Sequence, residues 1–138
     1  MVVFVRGGEV LVFWRLWWGL GWLWVGVVVY LTLTPSPPGM PLFPFADKVA
    51  HLLAFAGLMG WFAQLVPRGR WWRTGLALVA LGVLIEFLQR WGGMRQFEVA
   101  DMVADALGVA VGAGLARGPL GRLIRGWDRW LARRFADF

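Results

Sequence analysis

Four apolar segments, separated by short polar or proline-rich stretches, dominate the pattern of this chain. They cover about residues 16–33, 48–66, 71–89 and 99–116, and most of their few charged side chains lie close to one end. Each approaches the roughly 20 residues that a helix needs to cross a hydrocarbon core of about 30 Å. The pattern therefore predicts an all-α, polytopic integral membrane protein, built as an antiparallel bundle of four transmembrane helices.

The connections between these segments carry residues that interrupt helices. Residues 34–44 hold five of the seven prolines, which favours an extended connection. Short stretches containing glycine, at 67–70 and 91–94, form the other two connections. Residues 1–13 suit either a small hairpin or an interfacial segment, because a Gly-Gly pair separates two β-branched runs.

The last part of the chain is basic and amphipathic. It follows a Gly-Pro pair at 118–119, and its arginines alternate with Trp, Leu and Phe at helical spacing. Such a helix lies in the membrane interface and is attracted by anionic lipids. We expect a four-helix membrane domain over residues 1–116 and an interfacial tail over 117–138 that the fold does not need.

The composition agrees with a membrane location. Of the 138 residues, 59% are hydrophobic and 16% are charged, with 11 Trp against 1 Tyr. A soluble chain of this size buries only about two thirds of its surface on folding, so a soluble monomeric enzyme is excluded. The absence of Cys excludes disulfides and thiolate ligands. The net charge of +6 is spread between apolar runs, which favours lipid head groups over nucleic acid as partners.

The basic residues are divided unequally between the two sides of the predicted bundle. Eleven of the 14 lie in the termini or near the second connection, which leaves Lys48, Arg90 and Arg95 on the other side. The cytoplasmic side of a membrane protein carries the excess of Lys and Arg. We therefore expect a multi-pass plasma-membrane protein with both termini in the cytoplasm.

The remaining ionisable residues meet at the outer end of this arrangement. Several are spaced i,i+4, which places both members on one helix face. A charge at membrane depth costs about 2.5–3.5 kcal/mol, so it is kept when it is paired or used. We predict one outward-facing polar pocket, and its expected ligand-binding residues are Asp47, Lys48, His51, Glu86, Gln89, Arg95, Asp101 and Asp105.

Two interpretations of this pocket remain open. Carboxylates and an imidazole serve acid–base chemistry, and the candidate catalytic residues are Asp101, Glu86, His51 and Arg95. Asp47 lies one turn before His51, where it would orient the imidazole ring. The other interpretation is that the charges are ion pairs that hold the helices together. No cofactor or metal is expected, because the sequence contains no recognised ligand motif.

The fourth segment also carries small residues at the spacing of close helix contacts. Gly108 and Gly112 form a GxxxG motif, and Ala106, Ala110 and Gly114 lie on a neighbouring stripe. Such faces permit close packing within a bundle or between copies in an oligomer.

In these motifs the chain resembles the VanZ-like membrane protein family. The similarity runs from about residue 31 to 116 and includes residues 47–51 (Asp-Lys-Val-Ala-His), 85–89 (Ile-Glu-Phe-Leu-Gln), 95–101 (Arg-Gln-Phe-Glu-Val-Ala-Asp) and 105–112. The family usually has Asn where this sequence has Asp105, so that residue's role does not transfer directly. The resemblance implies a cell-envelope context, since the family is named for a protein that contributes to resistance against the glycopeptide teicoplanin.

Three functions remain open from the sequence, which does not decide whether the protein is an enzyme. The first is binding of a lipid-linked cell-wall intermediate or a glycopeptide, with Lys48, Arg90 and Arg95 holding phosphate or carboxylate. The second is catalysis on a lipid-linked substrate, and the third is a structural or assembly subunit without a site. Transport of ions is disfavoured, because ionisable residues do not continue deeper into the segments.

The predicted topology can be tested with single cysteines, because the chain has none of its own. Ser36→Cys, in the first connection, should react with an impermeant thiol reagent in intact cells. Arg70→Cys should react only after the membrane is permeabilised, since the second connection is expected in the cytoplasm. The reverse labelling pattern would place the polar pocket on the cytoplasmic side.

Overall fold

α-Helices form the fold. The computed structural model describes residues 4–5, 9–34, 45–93 and 97–135. The helices are α1 (Trp14–Leu33), α2 (Ala46–Phe62), α3 (Trp71–Trp91), α4 (Val99–Leu115) and α5 (Leu123–Phe135). Short 3-10 helices, Arg68–Arg70 and Pro119–Arg122, lead into α3 and α5.

Two very short strands precede the first helix. Phe4–Val5 pairs antiparallel with Glu9–Val10, and this pairing corresponds to the hairpin alternative for the first 13 residues. The proline-rich connection, whose extended form was expected from the sequence, lies almost entirely at 35–44, outside the described residues.

Within the described ranges, two helical segments are long and apolar enough to cross a membrane, Trp14–Leu33 and Arg68–Trp91. A third candidate combines α4 with Pro119–Phe135, which are bent by 72° relative to each other. Helix α2 has 17 residues, so it is about 26 Å long and shorter than the hydrocarbon core. It ends at Phe62, four residues before the predicted end of that segment. The structure thus has two or three candidate spans, and a count of four stays a prediction.

Helices α2 and α4 pack against each other more extensively than any other pair of described elements. Two glycines of α4 make this approach close. A Cβ on Gly108 would overlap the carbonyl oxygen of Leu52, and a Cβ on Gly112 would overlap that of Ala56. The GxxxG motif is therefore used within the chain, while a Cβ on Gly114 would meet open space.

Helix α1 lies at the edge of the described helices. It buries Trp17, Gly21 and Val28, but large side chains such as Trp22 and Tyr30 are mostly exposed. Exposed apolar surface along a whole helix is a liability in water and is expected where lipid tails surround the helix. Its exposure supports the membrane location of α1.

One carboxylate attaches α5 to the start of α1. Asp128 is 2% exposed and accepts hydrogen bonds from the backbone N–H groups of Val12 and Phe13, both at 2.9 Å. It also accepts one from Trp17 Nε1 at 2.8 Å. Phe13, the residue that precedes α1, makes no side-chain cap, so Asp128 satisfies donors at a helix start that would otherwise be unpaired.

A second contact attaches the same helix to the end of α2. The backbone N–H of Ile124 donates to Gln64 Oε1 at 2.9 Å, and the Ile124 side chain is buried in the apolar core. Helix α5 thus buries one apolar and one acidic side chain in the protein, Ile124 and Asp128. The expectation that the fold does not need residues 117–138 stays a prediction, which truncation after Arg117 tests.

The contacts of α5 define two ends of the molecule. The basic end comprises the start of α1, the end of α2, the start of α3 and α5. Arginines stack on tryptophans there, Arg15 on Trp14 at 5.3 Å and Arg73 on Trp72 at 5.2 Å from the ring centre. The acidic end comprises the end of α1, the start of α2, the end of α3 and the start of α4.

Asp128→Asn should lower the free energy of unfolding by about 1–3 kcal/mol, because an amide oxygen cannot replace a carboxylate that accepts three N–H donors. Arg133→Gln, at an exposed position of the same helix, is the control and should change it by less than about 0.5 kcal/mol. The measurement is thermal unfolding in detergent, with truncation after Arg117 as a third sample. A truncated protein as stable as the full chain would show that α5 is dispensable.

Candidate functional site

Four polar side chains are buried together at the acidic end. His51 comes from α2, Glu86 from α3, and Asp101 and Asp105 from α4, and each is only 1–4% exposed. They meet because the starts of α2 and α4 lie beside the end of α3. Residues one or two turns inside these three helix ends therefore lie at the same depth in the bundle. Spacing of four residues puts Asp101 and Asp105 on the same face of α4.

His51 is paired with Asp105. The distance from His51 Nδ1 to Asp105 Oδ1 is 2.8 Å, and both side chains are almost completely buried. The sequence spacing predicts that Asp47 orients this ring, but the structure places Asp105 of α4 there. The reason is the close approach of α2 and α4, which the sequence separation between residues 51 and 105 conceals.

Lys48 forms the outer, more exposed layer of the acidic end. Its Nζ lies 2.9 Å from Asp47 Oδ2, 2.5 Å from Glu98 Oε2 and 3.1 Å from Asp101 Oδ1. Pairs at this level of exposure contribute less than about 1 kcal/mol each. Their main effect is positional, since the ammonium group joins the start of α2 to the start of α4 and holds Asp101.

Glu86 and Asp105 form the inner layer, where hydrogen bonding is incomplete. Glu86 Oε2 accepts the backbone N–H of Glu98 at 3.2 Å, whereas Glu86 Oε1 and Asp105 Oδ2 are buried without a hydrogen-bond partner among the described residues. Neither carboxylate forms an ion pair with a Lys or Arg of the described ranges. Buried charged groups are almost always paired, so two such oxygens in one cluster mark an incomplete site.

The side chain of Asp105 fits because position 82 is glycine. A Cβ on Gly82, one turn before Glu86 on α3, would overlap Asp105 Oδ2. Sequence reasoning missed this residue. Its i,i+4 spacing from Glu86 could have indicated it, because a glycine at that position leaves room for another side chain on the polar face of α3.

Two predicted site residues, Gln89 and Arg90, lie apart from the inner layer, and the position of a third is not described. Gln89 is buried, but its Nε2 donates to the carbonyl oxygen of Thr32 at 2.5 Å and links α3 to α1. Arg90 is exposed and stacks over Phe97 at 6.0 Å from the ring centre. Arg95 lies outside the described residues.

In the part of the chain that the structure describes, two groups of side chains have the spacing to hold a metal ion. The first is His51, Glu86 and Asp101, all buried, and in each group one ligand atom per residue lies within 4.8 Å of the others. The second group consists of Asp47, Glu98 and Asp101. Chemically, the acidic end offers a carboxylate-oriented imidazole, one ammonium group and an excess of carboxylate oxygens.

The chain was compared with protein families, curated proteins and solved structures. A family model described as VanZ/LLP1 matches residues 13–124, which extends beyond the segment whose motifs carried the resemblance. No curated protein and no solved structure matches the chain.

Gly82→Ala should lower the free energy of unfolding by about 1–3 kcal/mol, because the added methyl group must displace the buried Asp105 carboxylate. Gly114→Ala is the matched control, since its Cβ meets open space and Ala stabilises a helix over Gly by about 0.5–1 kcal/mol. The two variants should therefore shift the melting temperature in opposite directions. Equal stabilisation by both would show that Asp105 is not packed on Gly82.

Proposed function

The chain belongs to the VanZ/LLP1 family, and from this we propose that it is a VanZ-like cell-envelope membrane protein whose acidic end is an outward-facing pocket. The pocket binds an extracytoplasmic ligand, which is a lipid-linked cell-wall intermediate or a glycopeptide. This assignment connects the family to glycopeptide resistance through ligand binding.

The orientation follows from the charges and aromatic rings at the two ends. The basic end gathers Arg–Trp stacks and the five arginines of residues 122–134, which suits contact with anionic lipids on the cytoplasmic side. Helix α2 runs from the acidic end, near Lys48, to the basic end, where Gln64 contacts α5. In this proposal α2 and α4 cross the membrane beside α1 and α3, and the four helices form an antiparallel bundle. Helix α5 lies in the membrane interface.

The observation that carries the proposal is the inner layer of incompletely paired carboxylates. Helices held together only by ion pairs gain nothing from a buried carboxylate oxygen without a partner, since each such group destabilises the fold. A binding site explains why Glu86 and Asp105 remain buried there. Above them, the Lys48 ammonium group is already shared by three carboxylates, so a phosphate or carboxylate of the ligand binds it by displacing one of them. Exposed Trp91 (88%) offers an aromatic surface at the rim.

Catalysis on a lipid-linked substrate is the second candidate, and one observation favours it. A buried imidazole whose Nδ1 contacts a carboxylate at 2.8 Å has the arrangement of an oriented general base. Multiple turnover on an envelope lipid by the purified protein would distinguish this function from binding. The structural interpretation retains one argument, the Lys48 network that joins α2 to α4.

Asp101→Asn and Arg95→Gln should each abolish the cellular phenotype while expression and melting temperature stay near those of the wild type. Asp101 lies in the first turn of α4, where the helix dipole supports its charge by about 0.3–1 kcal/mol, and it contacts Lys48. Asp105→Asn should be mild, because Asn keeps an acceptor for His51 and is the residue usual in the family.

The measurement is complementation or teicoplanin sensitivity, run beside a detergent melting curve for each variant. Glu98→Gln is the control, since it removes an exposed carboxylate of the Lys48 contacts that is outside the predicted ligand-binding set, and it leaves the inner layer intact. If function tracks stability across all the variants, the acidic end is structural and the proposed site is wrong.

A further inference from the structure

The buried side chains of the acidic end have the composition of a metal site. We infer that His51, Glu86 and Asp101 bind one divalent transition-metal ion, Zn²⁺ or Mn²⁺. The inference rests on the proposed function in treating the acidic end as a site. It adds a named ligand set and an ion to that site.

The geometry of these three residues suits an ion of this kind. One ligand atom from each lies within 4.8 Å of the others. At Zn–ligand distances of about 2.0–2.2 Å, two ligand atoms of a tetrahedral site lie about 3.3–3.6 Å apart. Separations within 4.8 Å must therefore shorten by at most about 1.5 Å, which side-chain rotations shared among the three residues supply.

The incomplete hydrogen bonding of Glu86 is an independent indication. Glu86 is 1% exposed and its Oε1 has no partner among the described residues. It forms no ion pair with a described Lys or Arg, so no such side chain compensates the negative charge of this buried carboxylate. A bound cation would supply both the missing partner and the missing positive charge.

The second group, Asp47, Glu98 and Asp101, already has a positively charged partner. Lys48 Nζ contacts a carboxylate oxygen of each of these residues. The ammonium group therefore takes the place of a metal ion in the outer layer. Asp101 belongs to both groups, and because its Oδ1 contacts Lys48, its Oδ2 is the oxygen left for the ion.

The chemistry of the ligands selects the class of metal. Because His51 Nδ1 contacts Asp105, Nε2 is the ring nitrogen left for the ion, and a carboxylate behind a metal-bound histidine is the usual second partner. One imidazole with two carboxylates suits Zn²⁺ or Mn²⁺ better than Mg²⁺ or Ca²⁺, which prefer oxygen ligands. Asp105 acts here as a positioning residue.

The ligands come from three different helices, so no short sequence motif marks them. This is why a metal was not expected from the sequence. Three protein ligands leave at least one coordination position open. An oxygen of a phosphate or carboxylate group on the envelope ligand fits that position.

The sequence makes the test unusually direct, since His51 is the only histidine and there is no cysteine. The full chain, purified in detergent with a tag that contains no histidine, is treated with a chelator and labelled with ¹⁵N-histidine. Titration with Zn²⁺ should shift the Nε2 resonance and saturate at one equivalent per chain. This readout uses the wild-type protein and does not depend on any variant folding.

Two variants then assign the ligands by isothermal titration. Glu86→Gln should weaken Zn²⁺ affinity at least about tenfold. Glu98→Gln makes the same chemical change at a carboxylate outside the ligand set, so it should keep affinity within about twofold. The absence of a saturable Nε2 shift, or equal affinity in the two variants, would overturn the inference.

These outcomes are separable from those of the proposed function. If Zn²⁺ does not shift Nε2 but Asp101→Asn still abolishes the phenotype without loss of stability, the metal site is wrong and the ligand pocket stands. If Zn²⁺ binds with one equivalent while the phenotype only tracks stability, the metal site stands and the proposed function is wrong.

Discussion

The close approach of α2 and α4 determines where the charged groups of this protein lie. Gly108 and Gly112 bring the backbone of α4 against the carbonyl groups of Leu52 and Ala56. Only at that separation can the imidazole of His51 meet the carboxylate of Asp105 inside an apolar bundle. The pairing in turn fixes which ring nitrogen faces the neighbouring helix, so a packing motif without chemistry of its own determines the chemistry of the acidic end.

The apolar pattern was a good guide to the helices and a weaker one to their lengths. Long apolar segments predicted α1 and α3 within two residues at each end, because a long apolar run has few alternatives in a membrane. The end of α2 at Phe62 was missed. Residues 63–66 lie just before Pro67, which has no N–H to donate to the carbonyl oxygen of Ala63 and disfavours a helical conformation at Val66. Trp71 Nε1 donates to that carbonyl oxygen instead.

The sequence predicts which polar residues lie near each other in the site but not which of them are in contact. Topology alone brings the ends of α2, α3 and α4 to one level, which is why His51, Glu86 and the two aspartates of α4 were grouped from the sequence. Which carboxylate contacts His51 depends on helix rotation and on interhelical distance. Local spacing favours Asp47, whereas the structure favours Asp105, held beside Gly82 on the neighbouring helix.

The contact between Asp128 and the start of α1 has a consequence for the order of assembly. The two partners are separated by 116 residues in the chain, so the first helix is made long before the carboxylate that satisfies its terminal N–H groups. At roughly 5–20 residues per second, that interval in synthesis lasts about 6–23 seconds. During it, lipid head groups and water must serve those donors. Helix α1 is therefore made well before it reaches its final contacts.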